Sequence, residues 1–223
     1  MQQGLRARVI FVALLSVALA VSTVLPTFAG DKGPKRSSSR CVSTQAVAHK
    51  EPQISPPPIK FPVSNRIITL KTNCGDIVIL ADGRKTPLTV LAISALAIGG
   101  FFDHTLCHRL TTSGIYVLQC GDPTATGSGG PLFTYRDENL PTKTEDNYPE
   151  GIVAMANTGR PSTNGSQFFL VYEDTTLPPT YTRWGQIIRG LDIVKAVAAQ
   201  GVVGGGSDGT PKLTIAIESV VVR

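Results

Sequence analysis

The chain has 223 residues, 42% of them hydrophobic, with a formal net charge of +5, four cysteines and three histidines. This length carries one ordinary domain with extensions or two small ones, and the apolar fraction suits a soluble globular chain with one added apolar segment. The basic excess argues against a nucleic-acid role once it is located: residues 1–65 hold eight Lys/Arg against two Asp/Glu, whereas residues 66–223 hold 13 against 14, so the folding part lacks the expected basic footprint.

At the N-terminus Arg6 and Arg8 precede an apolar run from Val9 to Val24, followed by Pro26 and "TFAG". Thr27 and Ala29 are small residues at the −3 and −1 positions of a cut after Ala29, the form of a secretory signal peptide over residues 1–29. The alternative is an uncleaved signal anchor through residues 9–28, a length that spans a bilayer as a helix. Both readings place the remainder outside the cytoplasm, secreted or attached at the outer face of the cytoplasmic membrane. Residues 30–65, with "KGPKRSSSR" and "EPQISPPPIKFP", read as an extended Ser- and Pro-rich linker.

From Arg66 the texture changes. "RIITLKTNCGDIVILAD" holds two β-rich runs, Ile67–Lys71 and Ile77–Leu80, around a turn, and predicts a hairpin. "TPLTVLAISALAIGG" predicts a helix that Pro87 opens and Gly99–Gly100 stops, apolar on nearly every face and so well buried. "TLCHRL" and "IYVLQC" flank a "TTSG" turn. "GIVAMAN", "SQFFLVYE" and "TRWGQII" are further strands, "LDIVKAVAAQ" is a second helix, and "LTIAIESVVV" closes the chain with alternating apolar residues. Many short strands with two separated helices predict an antiparallel sheet or barrel with attached helices, in one domain over residues 66–223.

Several motifs have rival readings. "TGSGGP", Thr126 to Pro131, resembles the nucleophile loop of chymotrypsin-like proteases. Such a site needs a histidine base and an orienting aspartate. His49 lies in the linker, and His104 and His108 lack the sequence context of that family, so the stretch reads as a glycine-rich loop. No G-x-S-x-G elbow, dinucleotide fingerprint or phosphate loop is present. The sequon at Asn164 is short enough to arise by chance, and a structural role is favoured for it. The cysteines form no C-x-x-C pair, so a zinc site is not expected, and three disulfide pairings are open. Cys107 and Cys120 flank the hairpin around "TTSG" and fall nearly opposite each other. Cys74 competes as a partner, while Cys41 in the linker is expected to be free or intermolecular.

What remains is a set of polar residues, Arg109, Gln119, Asn157 and Gln167, embedded in apolar β-like stretches with Tyr116, Val117, Phe169, Leu177 and Tyr181 around them. Apolar surface with a few hydrogen-bonding groups and one arginine suits an extended peptide. "FFDHTLCHRL", "YVLQCGDPTATGSGGP", "GIVAMANTG", "TNGSQFFLVYEDTTLPPTYTRWGQII" and "GLDIVKAV" together resemble the cyclophilin-type peptidyl-prolyl cis-trans isomerases, over about Ile67 to Val222.

The resemblance implies a mainly β fold: a closed eight-stranded antiparallel β-barrel capped by two α-helices, at about 87–98 and 191–199. It implies isomerisation of X-Pro bonds, without cofactor, metal or covalent step, by a monomer whose partners are proline-containing polypeptides. Arg109 matches the catalytic arginine. Substrate-binding residues carry over as Gln119, the Ala156–Asn157 pair, Gln167, Phe169 and Leu177. Tyr116 stands where phenylalanine is usual, Val117 where methionine is usual, and Tyr181 where histidine is usual. The connection from Arg109 to Gln119 is two residues longer than the family's common form, which implies a displaced pocket lip near Arg109. Thr176 stands where members with strong cyclosporin affinity carry tryptophan, an argument against tight cyclosporin binding. The alternative of another class is a peptide-binding scaffold of the same fold with little turnover.

Overall fold

The computed structural model describes residues 41–223; the leader over residues 1–29 and residues 30–40 of the expected linker lie outside them. The described chain runs β1 (Arg66–Thr72), β2 (Gly75–Ala81), α1 (Pro87–Ile98), β3 (Thr105–Leu106), β4 (Arg109–Thr111), β5 (Val117–Cys120), β6 (Ile152–Met155), β7 (Phe168–Val171), β8 (Arg183–Arg189), α2 (Leu191–Ala198), a 3-10 turn (Val203–Gly205), β9 (Asp208–Gly209) and β10 (Ala216–Val222).

The expected hairpin forms in unbroken register from Arg66↔Ala81 to Thr72↔Gly75. All ten strands join one antiparallel sheet in the order β3-β10-β1-β2-β8-β6-β7-β5-β4-β9. Eight strands were expected and ten are present, for a local reason. β3 and β4 belong to one run broken only at Cys107 and His108, whose backbone N–H groups donate to Ile215 at 3.0 Å and Gln119 at 3.0 Å. Pairing therefore leaves this run through β10 and returns to it through β5, while β9 adds two residues along β4.

Strand alternation sorts the side chains into two clusters. Leu118 and Cys120 of β5, Val153 and Met155 of β6, and Phe168 and Leu170 of β7 enter the main core with Trp184 and the buried faces of both helices. Val117 of β5, Ala154 of β6, and Phe169 and Val171 of β7 point to the other face and form a second cluster with Tyr148. β7 is thus buried on both faces, which is why "FFLV" is a continuous apolar run instead of an alternating one.

Both helices end near the expected positions, and the start of α1 is capped from distant sequence. α1 has no acidic residue in its first turn. The Glu138 carboxylate instead accepts from the N–H groups of Leu88 at 3.1 Å and Thr89 at 3.0 Å, satisfying donors that a helix start leaves open. α2 is entered through Gly190 at φ 88, where a Cβ would lie 2.4 Å from the Asp76 carbonyl oxygen, so only glycine fits.

Residues 41–65 contain no helix or strand, as expected, but they are docked and not free. Cys41 is disulfide-bonded to Cys74, which corrects its expected free or intermolecular state. Val42 and Asn73 exchange hydrogen bonds of 2.9 and 2.8 Å, Ala46 and Val63 are buried, and the His49 N–H donates to the Pro123 carbonyl at 2.9 Å. Cys107 and Cys120 form the hairpin disulfide. None of the helices among the described residues is long and apolar enough to cross a membrane.

Two outcomes follow from this packing. Leu118, fully buried, should lose about 2–5 kcal/mol on Leu118→Ala, whereas Leu132→Ala at an 83% exposed position should stay within about 0.5 kcal/mol in urea unfolding. A Cys41→Ser variant should raise amide hydrogen exchange over residues 42–54 and leave the β-sheet amides protected.

Candidate active site

The candidate site is built on the outer face of β4, β5, β7 and β6. Antiparallel register sets Arg109 directly opposite Gln119, Gln119 opposite Phe169, and Phe169 opposite Ala154. Residues opposite one another share a face, so one row across the sheet reads arginine, glutamine, phenylalanine, alanine. The two extra residues between Arg109 and Gln119 do not displace this row. They are absorbed in the turn from Thr112 to Tyr116, which is tied back by the Thr112 N–H donating to the Ser207 carbonyl at 2.8 Å.

A chain of hydrogen bonds runs along the polar part of the row. Arg109 Nη1 donates to Gln119 Oε1 at 3.3 Å, Gln119 Nε2 donates to Gln167 Oε1 at 2.8 Å, and Gln167 Nε2 donates to the Gly129 carbonyl at 2.9 Å. On its other side Arg109 meets Asp208 of β9: Nε donates to Oδ1 at 2.8 Å and Nη2 to Oδ2 at 2.7 Å. These hydrogen bonds to Asp208 raise the Arg109 pKa above its ordinary value, against burial, and hold the Asp208 carboxyl below its own. The guanidinium is charged throughout the working range and fixed from both flanks.

The apolar part of the site is the second cluster. Val117 and Phe169 are its buried floor, and Ile152, Ala156, Leu177 and Tyr181 are its partly buried rim. Tyr181 stands edge-on to Phe169 at 5.6 Å and to Tyr148 at 6.1 Å. Beside it opens a groove of about 570 Å³, lined by Gln119, Ala156, Asn157, Gln167 and the 127–131 loop. Asn157 sits in the groove wall with its side chain engaged: Nδ2 donates to the Thr180 carbonyl at 2.9 Å, and Oδ1 accepts from the Gly159 N–H at 3.0 Å.

Nine of the ten residues singled out in the sequence meet at this face or its groove. Tyr116 does not. It packs against the main core, edge-on to Tyr172 at 6.0 Å, and lines a separate cavity with Thr112, Glu150 and Lys195. The pleat is the reason: Val117 and Gln119 face outward, so Tyr116 and Leu118 are turned the other way. Asp208 was missed, since it lies 99 residues from Arg109 in a glycine-rich stretch with no apolar period.

The "GDPTATGSGGP" loop is organised around buried Asp122. Its carboxylate accepts from the N–H groups of Thr124 at 2.8 Å, Thr126 at 3.1 Å, Gly127 at 2.7 Å and Gly129 at 3.1 Å. Burial opposes ionisation of Asp122, but hydrogen bonds from the Thr124 hydroxyl and from the Gly129, Thr124 and Gly127 N–H groups outweigh it and hold the carboxyl below its usual range. Among the described residues no histidine hydrogen-bonds Ser128. His49 contacts the Val47 carbonyl, His104 pairs with Glu218, and the His108 pKa is lowered mainly by burial, with Asp122 opposing and Arg109 reinforcing the shift. Asn164 is fully buried, its Nδ2 donating to Asp137 Oδ1 at 2.9 Å, which leaves no room for a glycan.

A charged arginine stands at the edge of an apolar cluster, with glutamine amides beside it on the outer face of an antiparallel sheet. Residues 67–222 match the family model described as cyclophilin type peptidyl-prolyl cis-trans isomerase/CLD, and the chain belongs to that family. It is similar to the probable peptidyl-prolyl cis-trans isomerase B of Mycobacterium leprae, 42% identical over 182 residues covering 73% of this chain and 61% of the relative. The corresponding Mycobacterium tuberculosis protein is also 42% identical, over 74% of this chain and 59% of the relative. The chain thus spans about three fifths of the length of these relatives. Among solved structures, a cyclophilin-type isomerase of Cryptosporidium parvum matches with a TM-score of 0.60 and 28% identity, over 71% of this chain and 98% of that one. The same protein crystallised in the presence of the dipeptide Ala-Pro gives 0.59, over 70% of this chain and 98% of that one.

Asp122 carries a testable consequence. Asp122→Ala strands four loop N–H groups and should cost about 2–3 kcal/mol in urea unfolding at neutral pH. A depressed carboxyl pKa lends stability that is complete above the ordinary value of 3.8 and is lost as pH falls through the lower folded value. The gap between wild type and Asp122→Asn should therefore narrow well below pH 3.8.

Proposed function

We propose that this protein is a peptidyl-prolyl cis-trans isomerase acting on proline-containing segments of exported or envelope polypeptides, as a monomer, with Arg109 stabilising the transition state. The observation that carries this reading is the row Arg109–Gln119–Phe169, which sets a fixed cation beside an apolar surface.

The chemistry follows from the amide. Resonance resists twisting about the C–N bond, and uncatalysed prolyl isomerisation takes about 10–100 s at 25 °C. At the twisted geometry resonance is lost and the proline nitrogen becomes pyramidal and basic. A guanidinium donor directed at that nitrogen binds the twisted form better than the planar one, and this difference lowers the barrier. Arg109 suits the task because it keeps its charge and presents a rigid fork. The proline ring sits on Val117 and Phe169, with Leu177 and Tyr181 at the rim. Gln119 and Gln167 offer amides to the flanking peptide, and the wall at Ala156–Asn157 runs beside its backbone. Tyr116 takes no part.

Action outside the cytoplasm is supported by the sequence of the leader and by the cysteines, all four of which are spent in two disulfides, a usage suited to an oxidising compartment. In this reading residues 9–28 export the domain or tether it to the membrane.

Arg109→Ala should reduce kcat/KM on an X-Pro peptide by about 10²–10³, the scale of losing one transition-state donor, with circular dichroism and unfolding midpoint retained. Arg109→Lys should stay impaired, because a point charge lacks the fork. Near-wild-type turnover in folded Arg109→Ala would overturn the mechanism, and a wild-type protein that binds the peptide without accelerating its isomerisation would establish the scaffold alternative.

A further inference from the structure

We propose that Asp208 is the positioning residue of this site: its carboxylate sets the plane and reach of the Arg109 guanidinium. This inference rests on the isomerase reading of the same face and adds a residue to it.

Arg109 is half-exposed, its side chain 41% accessible, on the outer face of a barrel. A long arginine there has many accessible rotamers and little packing to select one of them. Gln119 holds it by a single 3.3 Å bond at Nη1. Asp208 supplies what is missing. It takes the side edge of the guanidinium, Nε and Nη2 together, in a two-bond fork of 2.8 and 2.7 Å. Nη1, with its partner Gln119, is left on the side toward the pocket. A carboxylate on the other edge of the fork would have blocked it.

The placement of Asp208 is itself built. β9 is only two residues long, yet it pairs with β4 through Leu110↔Gly209 and Thr111↔Asp208. The stretch leading to it turns through Gly204 and Gly205, both at positive φ, and is pinned by Val203 N–H to the Thr210 carbonyl at 2.8 Å and Thr112 N–H to the Ser207 carbonyl at 2.8 Å. The lengthened turn between Arg109 and Gln119 is thus the element that receives the strand carrying Asp208. With Asp208 53% exposed, the pair adds little to stability, so orientation is the consequence left for it.

The test uses the folded chain with Asp208→Ala, Asp208→Asn and the double variant Arg109→Ala/Asp208→Ala. Isomerisation is read by NMR exchange on an X-Pro peptide, and the Arg109 Nε–H signal is read directly. In Asp208→Ala, kcat should fall about tenfold to hundredfold, the cost of a misplaced group, with KM changed by less than about twofold. The Nε–H signal, protected from solvent exchange in the wild type, should be lost. Asp208→Asn, which keeps one acceptor oxygen, should recover part of both. In the Arg109→Ala background, removing Asp208 should cost nothing further. Unchanged kcat with a protected Nε–H signal in Asp208→Ala would overturn the proposal. So would an equal loss of rate in the Arg109→Ala background, which would make Asp208 merely structural. If the wild type proves inactive, the isomerase reading alone fails, and the Nε–H signal still decides whether Asp208 fixes Arg109.

Discussion

A guanidinium clamped from two sides is the constraint on which the rest of this site depends. Arg109 stands on β4 between β5 and β9, and takes one partner from each: Gln119 at 3.3 Å and Asp208 at 2.7–2.8 Å. Neither contact is worth much in stability, since exposed ion pairs contribute about 0–1 kcal/mol. Their effect is geometric. An unheld cation on a barrel surface would be solvated and mobile. A held one keeps the same edge turned toward the pocket and needs no reorganisation to present it.

The pocket beside it exists because β6 and β7 are apolar on both faces and β5 adds Val117 to the outer one. Leu118, Leu170 and Val153 look inward to the main core, while Val117, Phe169 and Ala154 look outward and would be exposed without Tyr148, Tyr181 and Leu177 above them. Tyr148 closes this layer through its hydroxyl, which donates to the Pro178 carbonyl at 3.2 Å and accepts from the Tyr181 N–H at 3.0 Å. The loop carrying Leu177 and Tyr181 is thereby fixed over the outer face. The same strands that stabilise the barrel also lay down the floor of the site, which couples pocket shape to sheet register.

Much of this was legible in the sequence, and the parts that were not share a cause. The β1–β2 hairpin, both helices and the doubly buried β7 follow from local periodicity and from turn or breaker residues within a few positions. Arg109 and Gln119 were readable as polar residues in apolar strands, and the row they form with Phe169 by resemblance. What escaped was decided by pairing across long separations. Glu138 caps α1 from 50 residues away, and Asp208 reaches Arg109 across 99. Cys41 finds Cys74 at a sequence separation of 33, from a linker without apolar period. Tyr116 was misplaced for a different reason: its position relative to Gln119 matches the family pattern, but strand alternation turns its side chain to the opposite face. The extra residues after Arg109 suggested a distorted lip, yet antiparallel register preserved the row and left the turn to absorb them.

In the proposed function, X-Pro peptides meet the protein on the outer face of β4, β5 and β7. The most direct measurement is an NMR titration of the labelled protein with an Ala-Pro-containing peptide, with cis–trans exchange of the peptide followed in the same samples. Perturbations are expected at the Arg109 Nε–H, the Gln119 and Gln167 side-chain amides and the Phe169 ring, together with exchange faster than the spontaneous scale of about 10–100 s. Perturbations confined to the Tyr116–Lys195 cavity, or binding at the outer face with no acceleration of exchange, would contradict it.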